Sequence, residues 1–80
     1  METLKQSANR VVGTKQVLRA LKAGTMKTVY VAVDSDTFLF QRVTRAAEAA
    51  GVPAVRVATM KELGEACSVA VETAAAGILK

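Results

Sequence analysis

The chain predicts an α/β fold, a three-layer α/β/α sandwich with a small mixed four-stranded sheet. Three observations predict it. Apolar runs of strand type alternate with segments whose apolar residues recur at helical spacing. The run Thr28-Val29-Tyr30-Val31-Ala32-Val33 is β-branched and almost continuously apolar, the pattern of a strand covered on both faces. Punctuating residues fall between the elements: Gly13, Gly24, Gly51 and Pro53.

The elements follow in order. Residues 3–9 read as a short amphipathic helix, with Leu4 and Ala8 four apart. Arg10-Val11-Val12 reads as a brief strand before Gly13. A helix opens at Thr14 and stops near Ala23, with Gly24 as its C-terminal cap, and it sends Val17, Leu18 and Leu21 toward a core. The central strand comes next, followed by Asp34, Ser35 and Asp36, each a good N-cap. The second long helix is expected from about Thr37 to Ala50, burying Leu39, Val43, Ala46, Ala47 and Ala50. Gly51 closes it and Pro53 bars its continuation. Ala54-Val55-Arg56-Val57 is a short strand, and Thr59 to Glu62 has the spacing of a capping box that opens a helix through about Cys67. Ser68 to Thr73 is a loop, and Ala74 to Leu79 supplies the last strand despite the low β propensity of its alanines.

Eighty residues fit one domain, 1–80, and a composition that is 51% apolar supports a core rather than a disordered chain. The net charge of +4 is unevenly spread. Residues 1–27 hold six basic side chains against Glu2, whereas residues 28–80 hold five basic and six acidic ones. That asymmetry implies a basic surface. Cys67 is the sole cysteine, so no internal disulfide forms, and its apolar setting marks it as buried filler. The N-terminus has no apolar run of secretory type and no stretch reaches membrane-span length, so a reducing, cytoplasmic setting and no membrane partner are expected.

Catalytic chemistry is poorly represented. There is no His, the three serines lie outside any nucleophile elbow, and no Gly-x-Gly-x-x-Gly or Walker loop occurs. Asp34 and Asp36 form a close carboxylate pair after the central strand. They offer an alternative reading as the site of a small phosphate- or ligand-binding enzyme domain, although both are also ordinary helix caps. The stronger reading is a binding module without catalysis, cofactor or metal. Lys15, Arg19 and Lys22, spaced four and three apart, share one helix face that begins at a positive dipole end. An anion at that spot resolves the conflict, and a nucleic-acid phosphate backbone is a common one. Lys27 completes the basic first third. With Tyr30 in the central strand and Phe38 and Phe40 at a helix start, no aromatic platform for single strands is expected.

Taken together, Val11-Val12-Gly13-Thr14-Lys15-Gln16, Val31-Ala32-Val33-Asp34-Ser35-Asp36, Gly51-Val52-Pro53 and Met60 to Cys67 resemble a known family over nearly the whole chain. It is the family of kink-turn-binding ribosomal proteins of the L-seven-Ae type, with its short bacterial, YbxF-like members. The resemblance implies a monomeric α/β/α sandwich that binds sharply bent RNA at tandem sheared G·A pairs, with the ribosome or another structured RNA as host. It implies that the helix opened by Gly13 and Thr14 enters the widened major groove. Gly13, Thr14, Lys15, Gln16 and Arg19 would then meet guanine edges and phosphates, and Val69, Ala70 and Val71 would cover unpaired bases. Archaeal and eukaryotic members of the family carry Asn-Glu where this chain has Lys15-Gln16. They also carry Gly at Ser68 and an acidic residue at Ala70.

Overall fold

The structure is a computed structural model that describes residues 9–67 and 72–80. The helix expected at the start of the chain lies outside them except for Asn9, and so do Val69, Ala70 and Val71. In chain order the elements are β1 (Arg10–Val12), α1 (Thr14–Ala23), β2 (Met26–Ala32), α2 (Thr37–Ala49), β3 (Ala54–Val57), α3 (Met60–Ala66) and β4 (Ala75–Leu79).

The strands form one sheet in the order β1-β4-β2-β3. β4 runs antiparallel to both β1 and β2, and β3 runs parallel to β2, so the sheet is mixed. Alternation along β2 and β4 divides the core between two faces. Val29, Val31 and Ala75 pack with Val17, Ala20 and Leu21 of α1 and with Val43 and Ala47 of α2. Tyr30, Ala32, Ala76 and Ile78 pack with Leu63, Ala66 and Cys67 around α3. The three layers are therefore α1 with α2, the sheet, and α3. Since β1 and β2 both oppose β4, they run the same way, and the helices that follow them lie side by side with their N-termini at one end.

The boundaries differ from the sequence reading in instructive ways. β2 starts at Met26 rather than Thr28 and ends at Ala32. Met26 is 1% exposed and pairs with Leu79, and a bulge between Met26 and Thr28 leaves Lys27 on the surface. The polar Lys27 hid the buried residue before it. Val33 is half exposed, although its N–H still donates to the Val57 carbonyl at 2.8 Å. Ala50 was expected in the core, but α2 ends one residue earlier and Ala50 is its exposed C-cap. Leu18, Leu39 and Ala46 are only partly covered.

Two features outside simple periodicity hold the layers in place. Gly77 sits in β4 between Val11 of β1 and Val29 of β2. A Cβ there would lie 2.5 Å from Met26 Sδ and 2.8 Å from the backbone oxygen of Thr28. The second feature is a long-range cap. The Asp34 carboxylate accepts the Met60 N–H at 2.8 Å across 26 residues of sequence, and Thr59 Oγ1 accepts from Glu62 at 3.0 Å. Two of the donors that open α3 are thus satisfied from two different segments.

Two outcomes follow from these contacts. Gly77→Ala is expected to destabilise the fold by about 1–3 kcal/mol, because one of the clashing atoms is backbone and cannot rotate away. Urea denaturation at constant m checks it. Asp34→Ala is expected to cost about 1 kcal/mol, with Asp34→Asn retaining most of the stability because its side-chain oxygen still accepts. Paired thermal melts of the two variants decide this, and equal losses would mean that charge, not the hydrogen bond, is what Asp34 contributes.

Candidate nucleic-acid interface

The site is built outward from Gly13. Its backbone has φ 104° and ψ 145°, a region that a side chain makes costly. Its N–H donates to the Ala75 carbonyl at 2.9 Å, and its own carbonyl accepts from Val17 at 3.0 Å. One residue therefore leaves β1, is pinned to the start of β4 and opens α1. The opening is bare. No side chain caps the first turn of α1 and no acidic residue sits in it. In α2, by contrast, Asp36 Oδ1 accepts from Phe38 at 3.0 Å and from Leu39 at 3.2 Å. Among the described residues, nothing lies within 4 Å of the point that a Cβ on Gly13 would occupy. The amides that lack an intrahelical acceptor lie at the positive end of the dipole.

Around this opening Thr14 is half-buried while Lys15 and Gln16 are exposed. Arg19, also exposed, lies one turn on, about 6 Å along the axis. Lys22 lies at the far end of α1, about 10 Å from Lys15 along the axis. Lys27 lies at the other end of the sheet, since Gly13 meets Ala75 beside Val31, four residues or about 13 Å along β2. The structure thus gathers Gly13, Thr14, Lys15 and Gln16, sets Arg19 beside them, and separates Lys22 and Lys27. Glu72 and Thr73 lead into Ala75 at the same end, from the segment that carries Val69, Ala70 and Val71.

The carboxylate pair is otherwise employed. Asp36 caps α2 and Asp34 caps α3, so one oxygen of each carboxylate, Oδ1, already accepts from backbone N–H groups. Among the described residues no group of three or more His, Cys, Asp or Glu could hold a metal ion. Burial pushes the Cys67 thiol above its ordinary pKa, an effect that the Arg10 guanidinium partly counters. Tyr30 is buried, and Phe40 lies beneath Arg56, whose guanidinium carbon is 5.7 Å from the ring centroid. Phe38 is 81% exposed. The sequence reading passed over it as a helix-start residue. The signal was its position opposite Val43 and Ala47 on the α2 surface. No helix among the described residues is long and apolar enough to cross a membrane.

Both faces of the sheet are covered, and the uncapped helix start pinned to β4 is the distinctive end of the molecule. A family profile agrees with this architecture over the full length. Residues 1–80 match the Ribosomal protein L7Ae/L30e/S12e/Gadd45 family, and the chain belongs to it. It is 46% identical over 79 residues to "RNA-binding protein YbxF" of Geobacillus stearothermophilus, covering 99% of this chain and 96% of that one. It is 38% identical over 78 residues to "RNA-binding protein" of Bacillus pumilus, with 98% and 95% covered. Among solved structures, the "Giardia lamblia 15.5kD RNA binding protein" superposes with a TM-score of 0.91 at 30% identity, covering 99% of this chain and 69% of that one. A protein of unknown function from Bacillus halodurans shares the fold, with a TM-score of 0.84 at 18% identity.

Because no described residue lies within 4 Å of a Cβ at Gly13, the strain of its positive φ is the main cost of a side chain there. Gly13→Ala is expected to cost about 1–3 kcal/mol, lowering the melting temperature by roughly 4–8 °C per kcal/mol. Circular dichroism melts check it. An unchanged melting temperature would show that the chain reaches α1 without a positive φ at this residue.

Proposed function

We propose that this chain is a non-catalytic RNA-binding protein that recognises kink-turn RNA, on the ribosome or in another structured RNA of the cytoplasm. The observation that carries the reading is the start of α1. It is a helix N-terminus without a side-chain cap, open above Gly13 and ringed by Lys15, Gln16 and Arg19. Family membership and the names of the relatives support RNA as the ligand. The kink-turn is the finer element of the proposal and comes from the sequence resemblance.

The physical division of labour is as follows. The α1 amides and Arg19 meet phosphate oxygens, the sequence-independent part of affinity. Lys15, on the first turn, donates to O6 and N7 of a guanine, and Gln16 can both donate and accept at a neighbouring base edge. Gly13 lets the RNA backbone approach without a Cβ in the way. Val69, Ala70 and Val71 cover the unpaired bases of the bend. Lys22 and Lys27 reach only RNA that continues along α1 toward the far end of the sheet. With both carboxylates of the alternative enzyme reading occupied as caps, nothing in the geometry favours that reading.

A gel-shift comparison at one fixed salt concentration tests the proposal. Kink-turn RNA is expected to bind more tightly than a plain duplex of equal length, and equal affinity would leave only generic electrostatics. Lys15→Ala is expected to cost roughly 1–3 kcal/mol on kink-turn RNA and to erase discrimination against a mutated G·A pair. Arg19→Ala should weaken both RNAs alike and reduce the salt slope by about one.

A further inference from the structure

The basic charge of the helical layer is not confined to α1. On α2, Phe38, Arg42, Arg45 and Ala49 recur at spacings of four, three and four, so they form one stripe away from the buried Val43 and Ala47. The first three are exposed. Between this stripe and α1 runs a groove of about 300 Å³, lined by Leu18, Leu21, Lys22, Ala46, Ala49 and Ala50. Its α2 side is all alanine, so a broad object can lie across it. Lys22 stands on its α1 side. The layer of α1 and α2 carries Lys15, Arg19, Lys22, Arg42 and Arg45 against Glu48 alone, while α3 carries Lys61 against Glu62 and Glu65.

The arginines have no evident role within the fold. No basic residue sits in the last turn of α2, so neither arginine complements that end of the helix dipole. Neither forms an ion pair among the described residues. They lie three apart on one face, a like-charge spacing that weakens an isolated helix slightly. An anion in front of them reverses that penalty. Two exposed arginines on α2, with Lys22 on the α1 side of the groove, are cations suited to the phosphates of a nucleic-acid backbone. Phe38, at the head of the stripe, offers an apolar plate for a ribose or a base.

We propose that the outer face of α2, the stripe of Phe38, Arg42 and Arg45 beside the groove whose α1 side carries Lys22, is a second RNA surface that holds the backbone of a duplex arm without reading its sequence. The inference rests on the RNA-binding reading above and extends it. α1 grips the bend, and because α2 flanks α1 on one side, only one of the two arms leaving the bend lies over it.

The experiment uses the full chain and three kink-turn RNAs, one with minimal arms and two with one arm or the other extended by plain duplex. Wild-type protein is expected to bind one extended RNA with a salt slope steeper by about two, a gain of ~10-fold in relative affinity on going from 200 to 50 mM salt. Arg42→Gln with Arg45→Gln should erase that gain while leaving minimal-arm binding and the melting temperature unchanged. Phe38→Ser should weaken the same extended RNA without changing its slope, and unchanged affinity would remove Phe38 from the surface. Equal gains from both extensions, or no gain from either, would overturn the proposal. So would a double variant that weakens all three RNAs alike, or one that loses only binding to polyglutamate, which would assign the face to an acidic protein. Failure of the underlying reading is separately visible as minimal-arm RNA binding no better than plain duplex.

Discussion

Every layer of this protein depends on β4 lying between β1 and β2. The strand is made of small residues where it is most crowded, and crowding is the reason. Ala75 faces α1 and α2, Ala76 faces the α3 side, and both are fully buried. Larger side chains would hold the helices off the sheet. Gly77, between two strands and against Met26, has no room for even one more carbon. The strand with the weakest propensity is thus the one whose environment is most demanding, a case of packing overriding intrinsic preference. The same strand fixes the candidate interface, because the Ala75 carbonyl holds the N–H of Gly13.

The three helix starts divide electrostatic work. α2 and α3 open on carboxylate or hydroxyl oxygens, and Asp34 serves a helix to which it does not belong. Two amides at each of those starts are satisfied from within the protein. α1 opens on a glycine with no side chain to offer, so its dipole and amides are left for something outside the protein. The distribution of charge runs the same way. Among the described residues the carboxylates lie mostly near the caps and on α3, and five cations stand on the layer that contains the uncapped end. The protein is polarised across its sheet, although its net charge is only +4.

What was legible in the sequence was local. Gly24 as a C-terminal cap, Asp36 and Thr59 as N-caps, and a central strand covered on both faces each depend on nearby residues. The start of α1 was legible for the same reason, since Gly-Thr-Lys-Gln states its own chemistry. The illegible parts are non-local. The partner of Asp34 lies 26 residues away, and the first residue of β2 is set by Leu79. A tally of charge by sequence segment placed the positive excess before residue 28 and read the rest as balanced. Folding undoes that average, because it carries Arg42 and Arg45 to one face and sends Glu62 and Glu65 to the other side of the sheet. Phe38 reads in the sequence only as a helix-start residue, and its exposure shows once Val43 and Ala47 turn the opposite side of α2 to the sheet.

The position of β4 also has a kinetic meaning. Pairing Arg10 with Ile78 closes a loop of nearly seventy residues, so the β1–β4 ladder is among the most non-local contacts that this small chain makes. Loop-closure entropy must be overcome before that pairing stabilises anything, which makes it a late event compared with the formation of α1 or α2. The bond from Gly13 to Ala75 belongs to the same late step. Until that step the opening of α1 lacks its anchor. The surface that we assign to RNA exists only once the sheet is complete. A ligand that engages it then selects the finished protein from its precursors and, by mass action, holds it there.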